Sequence, residues 1–269
     1  MTEHKTNLIN LKKRIGKADL HIHSNFSDGR PTIKAILDYV EKYTDLDVIA
    51  ITDHDTIRGA EQAVKIASEK KYRFQIIIGE EVTCIEGHIL GLFLKKKVDS
   101  GEPAHITIQK IHEQGGIAIA SHPFMHTRWR DPKIILMDGI GLKTLLEEKD
   151  NLDGIEVINA TPTLARENIR ASLVNKTAVF RSETGSSDAH IVEAIGKGYT
   201  LFEGNTAEDL KSAITNNQTQ GVAGRWDLLA LLKYFFFFIP EGLRMAAITL
   251  VHGRLPKRED DIEIPKRQS

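Results

Sequence analysis

Residues 46–55, Leu46-Asp47-Val48-Ile49-Ala50-Ile51-Thr52-Asp53-His54-Asp55, pass without a break from a β-branched run to a charged triplet. Apolar residues on consecutive positions, rather than on every second one, suit a strand covered on both faces, the condition of strands in parallel sheets. The polar triplet then falls at the strand's carboxyl end. In α/β folds those ends gather on one side of the molecule, and sites are built there.

The same punctuation recurs along the chain. A helical pattern over 59–71 leads to a strand at 74–78 and then Gly79-Glu80-Glu81, and 88–93 forms another short strand. A helix over 106–114 precedes Ile117-Ala118-Ile119-Ala120, which ends at Ser121-His122-Pro123. A polar excursion with Arg128, Trp129 and Arg130 follows, then a helix over 140–149 and a strand at 154–158 that ends at Asn159. A helix over 163–175, a short strand at 178–180, and 184–187 leading into Asp188-Ala189-His190 come next. The strand at 199–202 and the helix over 206–216 complete the series. Upstream, Ala18-Asp19-Leu20-His21-Ile22-His23 alternates apolar and polar residues. On a strand that period puts His21 and His23 on one side, where two imidazoles can grip one cation. A helical stripe of Ile33, Ile36, Leu37 and Val40 follows Pro31.

Alternating strands and helices predict a parallel sheet and, at this count, a barrel. His54, Glu81, His122 and the Asp188/His190 pair each fall at or just past the carboxyl end of a strand. Histidines scattered at random would not repeat that position, so the pattern predicts a polynuclear metal site. Asp53 and Asp55 read instead as helix caps or loop acceptors, because Asp55-Thr56 precedes a helical pattern. Cys84 reads as a small buried hydrophobe. Arg128, Arg130, Arg166 and Lys197 lie in or after loops of the expected active face, and they are the candidates for binding phosphate. Trp129 can stack on a base, and His126 can touch substrate from the polar excursion.

The chain has 269 residues, enough for one barrel, with 41% apolar and 27% charged residues. A net charge of -1 provides no global field to attract duplex nucleic acid or lipid. One cysteine excludes an internal disulfide and fits a reducing compartment. Residues 1–17 are polar, with no apolar segment of a secretory signal, and the expectation is a cytoplasmic protein. The expected organisation is a lead-in at 1–16, a catalytic barrel at 17–221, an apolar helical extension at 222–255 and a charged tail at 256–269.

His21-x-His23 with Ser27-Asp28-Gly29, Thr52-Asp53-His54-Asp55, Gly79-Glu80-Glu81, Ser121-His122-Pro123 and Ser187-Asp188-Ala189-His190 together resemble the PHP (polymerase and histidinol phosphatase) superfamily, over about residues 17–216. The chain is similar in particular to its small stand-alone phosphoesterases. The resemblance implies a distorted (β/α)7 barrel, PHP/TIM-like, here with a short C-terminal helical extension. It also implies two or three divalent ions (Mn, Fe or Zn) held by His21, His23, Asp28, His54, Glu81, His122, Asp188 and His190. His88 sits where related members often carry one more ligand. The doubled glutamate leaves the choice between Glu80 and Glu81 open by one position, with Glu81 preferred.

Such a cluster suits hydrolysis of a phosphate ester of a small metabolite, nucleotide or short oligonucleotide by a metal-bound hydroxide, with Asp188 handling the proton. The competing readings are a metal-dependent hydrolase of a non-phosphate substrate and a non-catalytic PHP module. The full set of expected ligands weighs against the last. Beyond the barrel, 226–239 holds Leu228, Leu229, Leu231, Leu232 and Phe235-Phe236-Phe237-Phe238, and Pro240 reads as the start of a second helix over 241–251. The run is shorter than the ~20 residues that span a bilayer. It suits packing on the barrel, a homodimer interface, or peripheral contact with a membrane.

Overall fold

The computed structural model describes residues 14–126 and 138–252. Nine strands form one nearly closed, barrel-like sheet in the order β7-β6-β5-β4-β3-β2-β1-β8-β9. They are β1 (Ile15–Asp19), β2 (Val48–Ile51), β3 (Gln75–Thr83), β4 (His88–Leu92), β5 (Ile117–Ala120), β6 (Gly154–Asn159), β7 (Ser182–Ser186), β8 (Gly198–Glu203) and β9 (Gln220–Ala223). Helices α1 (Ile33–Tyr43), α2 (Arg58–Glu69), α3 (Ala104–His112), α4 (Gly141–Glu147), α5 (Ala165–Val174) and α6 (Ala207–Thr215) connect them, and α7 (Leu228–His252) follows.

The sheet is mixed rather than wholly parallel. β4 runs antiparallel to both β3 and β5, and β8 runs antiparallel to β1. The remaining neighbours among β1 to β7 are parallel, so six carboxyl ends share one rim. β3 is longer than its apolar run suggests: Gln75 to Ile78 pair with β2, and Gly79 to Thr83 pair with β4. Glu81 therefore lies inside a strand, not beyond one.

One core cluster gathers Ala18, Leu20, Val48, Ala50, Ile77, Leu90, Ile119 and Phe202 from six strands or their ends, with Leu210 and Ile214 of α6. The alternate residues Ile49 and Ile51 turn to the outer layer and pack with Ile33, Leu37 and Ala63 of α1 and α2. A run buried on both faces is thus what residues 48–51 become. The barrel closes between β7 and the β8–β9 hairpin by side chains instead of a ladder. Thr200 Oγ1 accepts from Gly185 N at 3.0 Å and donates to Gly185 O at 2.9 Å, and Thr219 Oγ1 donates to Glu183 O at 2.7 Å. A Cβ at Gly185 would stand 2.6 Å from Tyr199 O, and one at Gly221 2.6 Å from Thr184 O, so glycine allows the backbones to meet.

Three local expectations change, and of the two readings of Asp53 and Asp55 the loop acceptor holds. Residues 178–180 are not a strand: a π-helical turn over Asn175–Val179 extends α5, and Phe180 ends it at φ 59°. Asp55 does not cap α2. Its Oδ1 accepts from Thr83 N at 2.8 Å, while Asp53 accepts from Ser24 N and Ser24 Oγ, both at 2.7 Å, so both carboxylates tie loops to the rim. β9 carries the sheet across the boundary expected at residue 221. Pro240 lies inside one continuous α7, not at the start of a second helix. Ala230 and Tyr234 of α7 are buried, and Trp226 just before it donates to Ala160 O at 3.1 Å. Among the described residues no helix is long and apolar enough to cross a membrane.

Candidate metal centre

His21 and His23 lie just past β1, where the chain continues beside Ala189 through a bridge at Ile22. Both are fully buried, and their ring centroids are 4.9 Å apart. His54 follows β2 and bridges to Glu81, His88 opens β4, and His122 follows β5. Asp188 and His190 follow β7, and Asp28 stands in the loop before α1 with its side chain 46% exposed, at the mouth of the cluster. His122 and Asp188 hold left-handed backbone conformations, φ 25° and 52°, strain of the kind that collects at functional sites.

Glu81 is the hub. Its Oε2 lies 3.0 Å from His21 Nε2, 3.3 Å from His23 Nε2 and 3.4 Å from His54 Nδ1. Its Oε1 lies 3.2 Å from His88 Nδ1 and 3.0 Å from His122 Nε2, and accepts from Ser121 Oγ at 2.9 Å. Asp188 Oδ1 lies 3.3 Å from His23 Nε2 and 3.5 Å from His21 Nε2, and Asp28 Oδ2 lies 3.1 Å from His190 Nε2. Glu80 points elsewhere, with Oε2 accepting from Val98 N at 2.8 Å, and burial pushes its carboxyl up to about 7. The geometry thus separates the doubled glutamates: Glu81 faces the histidines.

The electrostatics follow from burial and proximity. Burial alone disfavours every charge here, yet the histidines around Glu81 and Asp188 hold both carboxyls well below the usual range. Burial opposes charge on His23 too, and Asp188 and Glu81 outweigh it, raising the imidazole to about 10. For His54 burial wins, and its ring falls to about 3.

Several buried imidazole nitrogens remain without a hydrogen-bond partner among the described residues: both of His23 and His88, Nδ1 of His54 and Nδ1 of His122. Buried polar atoms are normally paired. Both nitrogens of His23 and the Nδ1 atoms of His54 and His88 lie within 3.5 Å of a carboxylate oxygen without hydrogen-bond alignment, as donors that share a cation do. Four sets have ligand atoms within 4.8 Å of one another and can hold a metal ion: His23, Asp28, His54 and His190; His21, His122 and Asp188; His21, His23 and Glu81; His54, Glu81 and His88. The donor set of imidazole and carboxylate fits Mn, Fe or Zn.

Glu156, in the middle of β6, was not among the predicted site residues. It is 1% exposed, and its Oε1 accepts from His21 Nδ1 at 3.1 Å and from Ser186 Oγ. Its Oε2 accepts from His122 N at 2.7 Å and Asn159 Nδ2 at 3.0 Å, and Asn159 Nδ2 also reaches Asp188 Oδ2 at 3.1 Å. The available signal was a lone carboxylate inside the apolar run Gly154-Ile155-Glu156-Val157-Ile158. The phosphate candidates are not gathered here. Arg128 and Arg130, with Trp129, lie outside the described residues; Arg166 is exposed on α5; Lys197 is paired with Asp227 at 3.0 Å. His126 is bonded to Asp138 at 2.7 Å. Cys84 is buried and donates to Gly87 O, and burial raises its thiol to about 11, as suits an inert residue.

The PHP domain model matches residues 19–161, and the PHP-associated model matches residues 181–219. An uncharacterized protein of Methanocaldococcus jannaschii is 38% identical over 156 residues, covering 54% of this chain and 82% of its own length. Among solved structures, a two-domain protein of Bacteroides vulgatus containing a predicted PHP-like metal-dependent phosphoesterase superposes with a TM-score of 0.59 at 20% identity, over 79% of this chain and 66% of that one. PsfC of Pseudomonas syringae superposes with a TM-score of 0.59 at 19% identity, over 86% of this chain and 100% of its own. At these identities the likeness is one of fold.

Proposed function

The chain belongs to the PHP-domain family, and we propose that it is a metal-dependent phosphoesterase. The observation that carries the reading is Glu81, whose two oxygens face five imidazoles, four of them with a nitrogen that has no hydrogen-bond partner among the described residues. His23, Asp28, His54 and His190 would hold one ion, and His21, His122 and Asp188 a second. Glu81 stands between them with His88 at its far oxygen. Divalent ions bound there would supply acidity to water near neutral pH and positive charge opposite the phosphoryl oxygens.

The chain's own residues set the geometry. Glu156 holds His21 through Nδ1, leaving Nε2 directed at Glu81, and Asn159 holds Asp188 from its other oxygen. Asp28 alone among the carboxylates of the cluster is open to solvent, so substrate enters past it. Asp188, which the surrounding histidines hold well below the usual carboxylate range, would serve as an anionic ligand and would hold the proton released in hydrolysis only in passing.

The test is hydrolysis of a phosphate-ester panel after reconstitution with manganese, iron or zinc, with His21→Ala as control. Metal-dependent phosphate release, absent in the control, is expected. Silence on every ester with stoichiometric metal bound would overturn the reading. Asp188→Asn should remove most turnover, and its metal content separates a catalytic part, with metal retained, from ligation alone, with metal lost.

A further inference from the structure

From the groove beside α7 we infer that the ester accepted at this centre is carried on an apolar chain: the substrate is a phosphorylated amphiphile, met at a lipid surface. The inference rests on the phosphoesterase reading and names its substrate class.

The groove is open to solvent along its length and has a volume of about 790 Å³. Ile191 and Val192 form one wall, and Leu232, Phe235, Phe236 and Ile239 of α7 form the other. It adjoins the metal cluster at two points. Arg30, which lines it, donates its backbone N–H to His190 O at 3.0 Å, and the Phe238 ring meets the His190 ring edge-on at 5.8 Å. The Arg30 guanidinium lies 5.0 Å from the centre of the Phe237 ring. Among the described residues no carboxylate pairs with it, whereas Lys233 across the groove is neutralised by Glu193 at 2.5 Å.

Those features specify a ligand by charge and by polarity. Arg30, whose guanidinium has no carboxylate partner among the described residues, lines the groove and is tied through its backbone to His190, so the anionic group belongs at that end. The remainder of the groove is apolar and suits a hydrocarbon chain. The stripe of α7 that supplies Leu232, Phe236 and Ile239 to that wall runs on past the groove. Leu229, Leu232, Phe236, Ile239, Leu243 and Leu250 are all exposed, at 52 to 87%, in one stripe. A soluble surface seldom leaves so long an apolar stripe uncovered, and an interfacial helix does so by design.

The experiment compares binding of dodecyl phosphate and butyl phosphate to the metal-loaded protein by calorimetry, with turnover of a soluble aryl phosphate measured in parallel. Each buried methylene is worth about fourfold in affinity, so the longer chain should bind at least about tenfold tighter. Phe236→Asp, on a 72% exposed side chain, should abolish that preference. Equal affinity for the two alkyl phosphates, with aryl phosphate still cleaved, would overturn the inference and leave the phosphoesterase reading standing. A chain preference lost in Phe236→Asp, without hydrolysis of any ester, would support the ligand class and overturn the catalytic reading. Concentration-dependent dimerisation abolished by Phe236→Asp, without a chain preference, would assign the stripe to a second copy of this chain and overturn the inference.

Discussion

The carboxylate of Glu156 never needs to touch a substrate to matter. It fixes the His21 ring through Nδ1 and anchors the backbone of His122, so both imidazoles meet Glu81 in register. Outer partners of this kind typically govern metal affinity by about 10–100-fold. Glu156→Gln keeps the shape and one acceptor, so the protein should fold normally while a metal titration shows a loss of that size; unchanged affinity would remove Glu156 from the site. A second prediction concerns pH. His112 ends α3 and donates to Asp153 at 2.8 Å, and that hydrogen bond raises its ring above the ordinary value, against a smaller effect of burial. The folded state binds this proton more tightly than the unfolded chain. Its stabilisation is therefore complete below about pH 6 and fades as pH rises through the raised value. It is small because the ring is partly solvated. Wild type should exceed His112→Gln in denaturant midpoint at low pH, and the gap should narrow above neutrality. The sequence exposed the inner residues well, because histidines at the ends of apolar runs are conspicuous. It hid Glu156, because one carboxylate within a strand carries no mark of which way it faces.

The strands were legible where burial was two-sided, as at 48–51 and 117–120, because consecutive apolar residues leave little alternative. Their direction was not. β4 and β8 run against their neighbours, and nothing in the period of a strand records orientation. Nor was the length of β3, since Gly79-Glu80-Glu81 looks like a strand's end until the cluster supplies partners for a buried glutamate. β9, with Gln220-Gly221-Val222-Ala223, is too short and small-sided to announce itself. Pro240 looked like a boundary because the ring removes a helical hydrogen bond, yet α7 runs through it. The element that best tests the packing is β8. Phe202 is 2% exposed and projects into the cluster formed by six strands and α6. Phe202→Ala should cost about 3–5 kcal/mol in urea unfolding. A cost under about 1 kcal/mol would mean that the barrel repacks around the gap.

For the molecule as a whole, metal and stability are one measurement. Ions that bind the folded cluster and not the unfolded chain raise stability by mass action, about 2.7 kcal/mol at a hundredfold excess over Kd. Manganese, iron or zinc should therefore raise the melting temperature, a chelator should reverse the rise, and Glu81→Gln should abolish it. An unmoved transition in the wild type would overturn the metal reading. The barrel as a closed object was only partly legible: alternating elements predicted it, while the side-chain seam at Thr200 and Gly185 could be seen only with both backbones in place. The antiparallel pairing of β1 with β8, which joins Ile15 to Glu203, also orders events in time. A chain made from its amino end presents His21 and His23 long before Asp188 and His190 leave the ribosome. Until then β1 is an open edge, and the first histidines lack half their company. A product cut short before residue 188 can assemble neither the His21, His122 and Asp188 set nor the His23, Asp28, His54 and His190 set, so loading of both sets reports synthesis past residue 190.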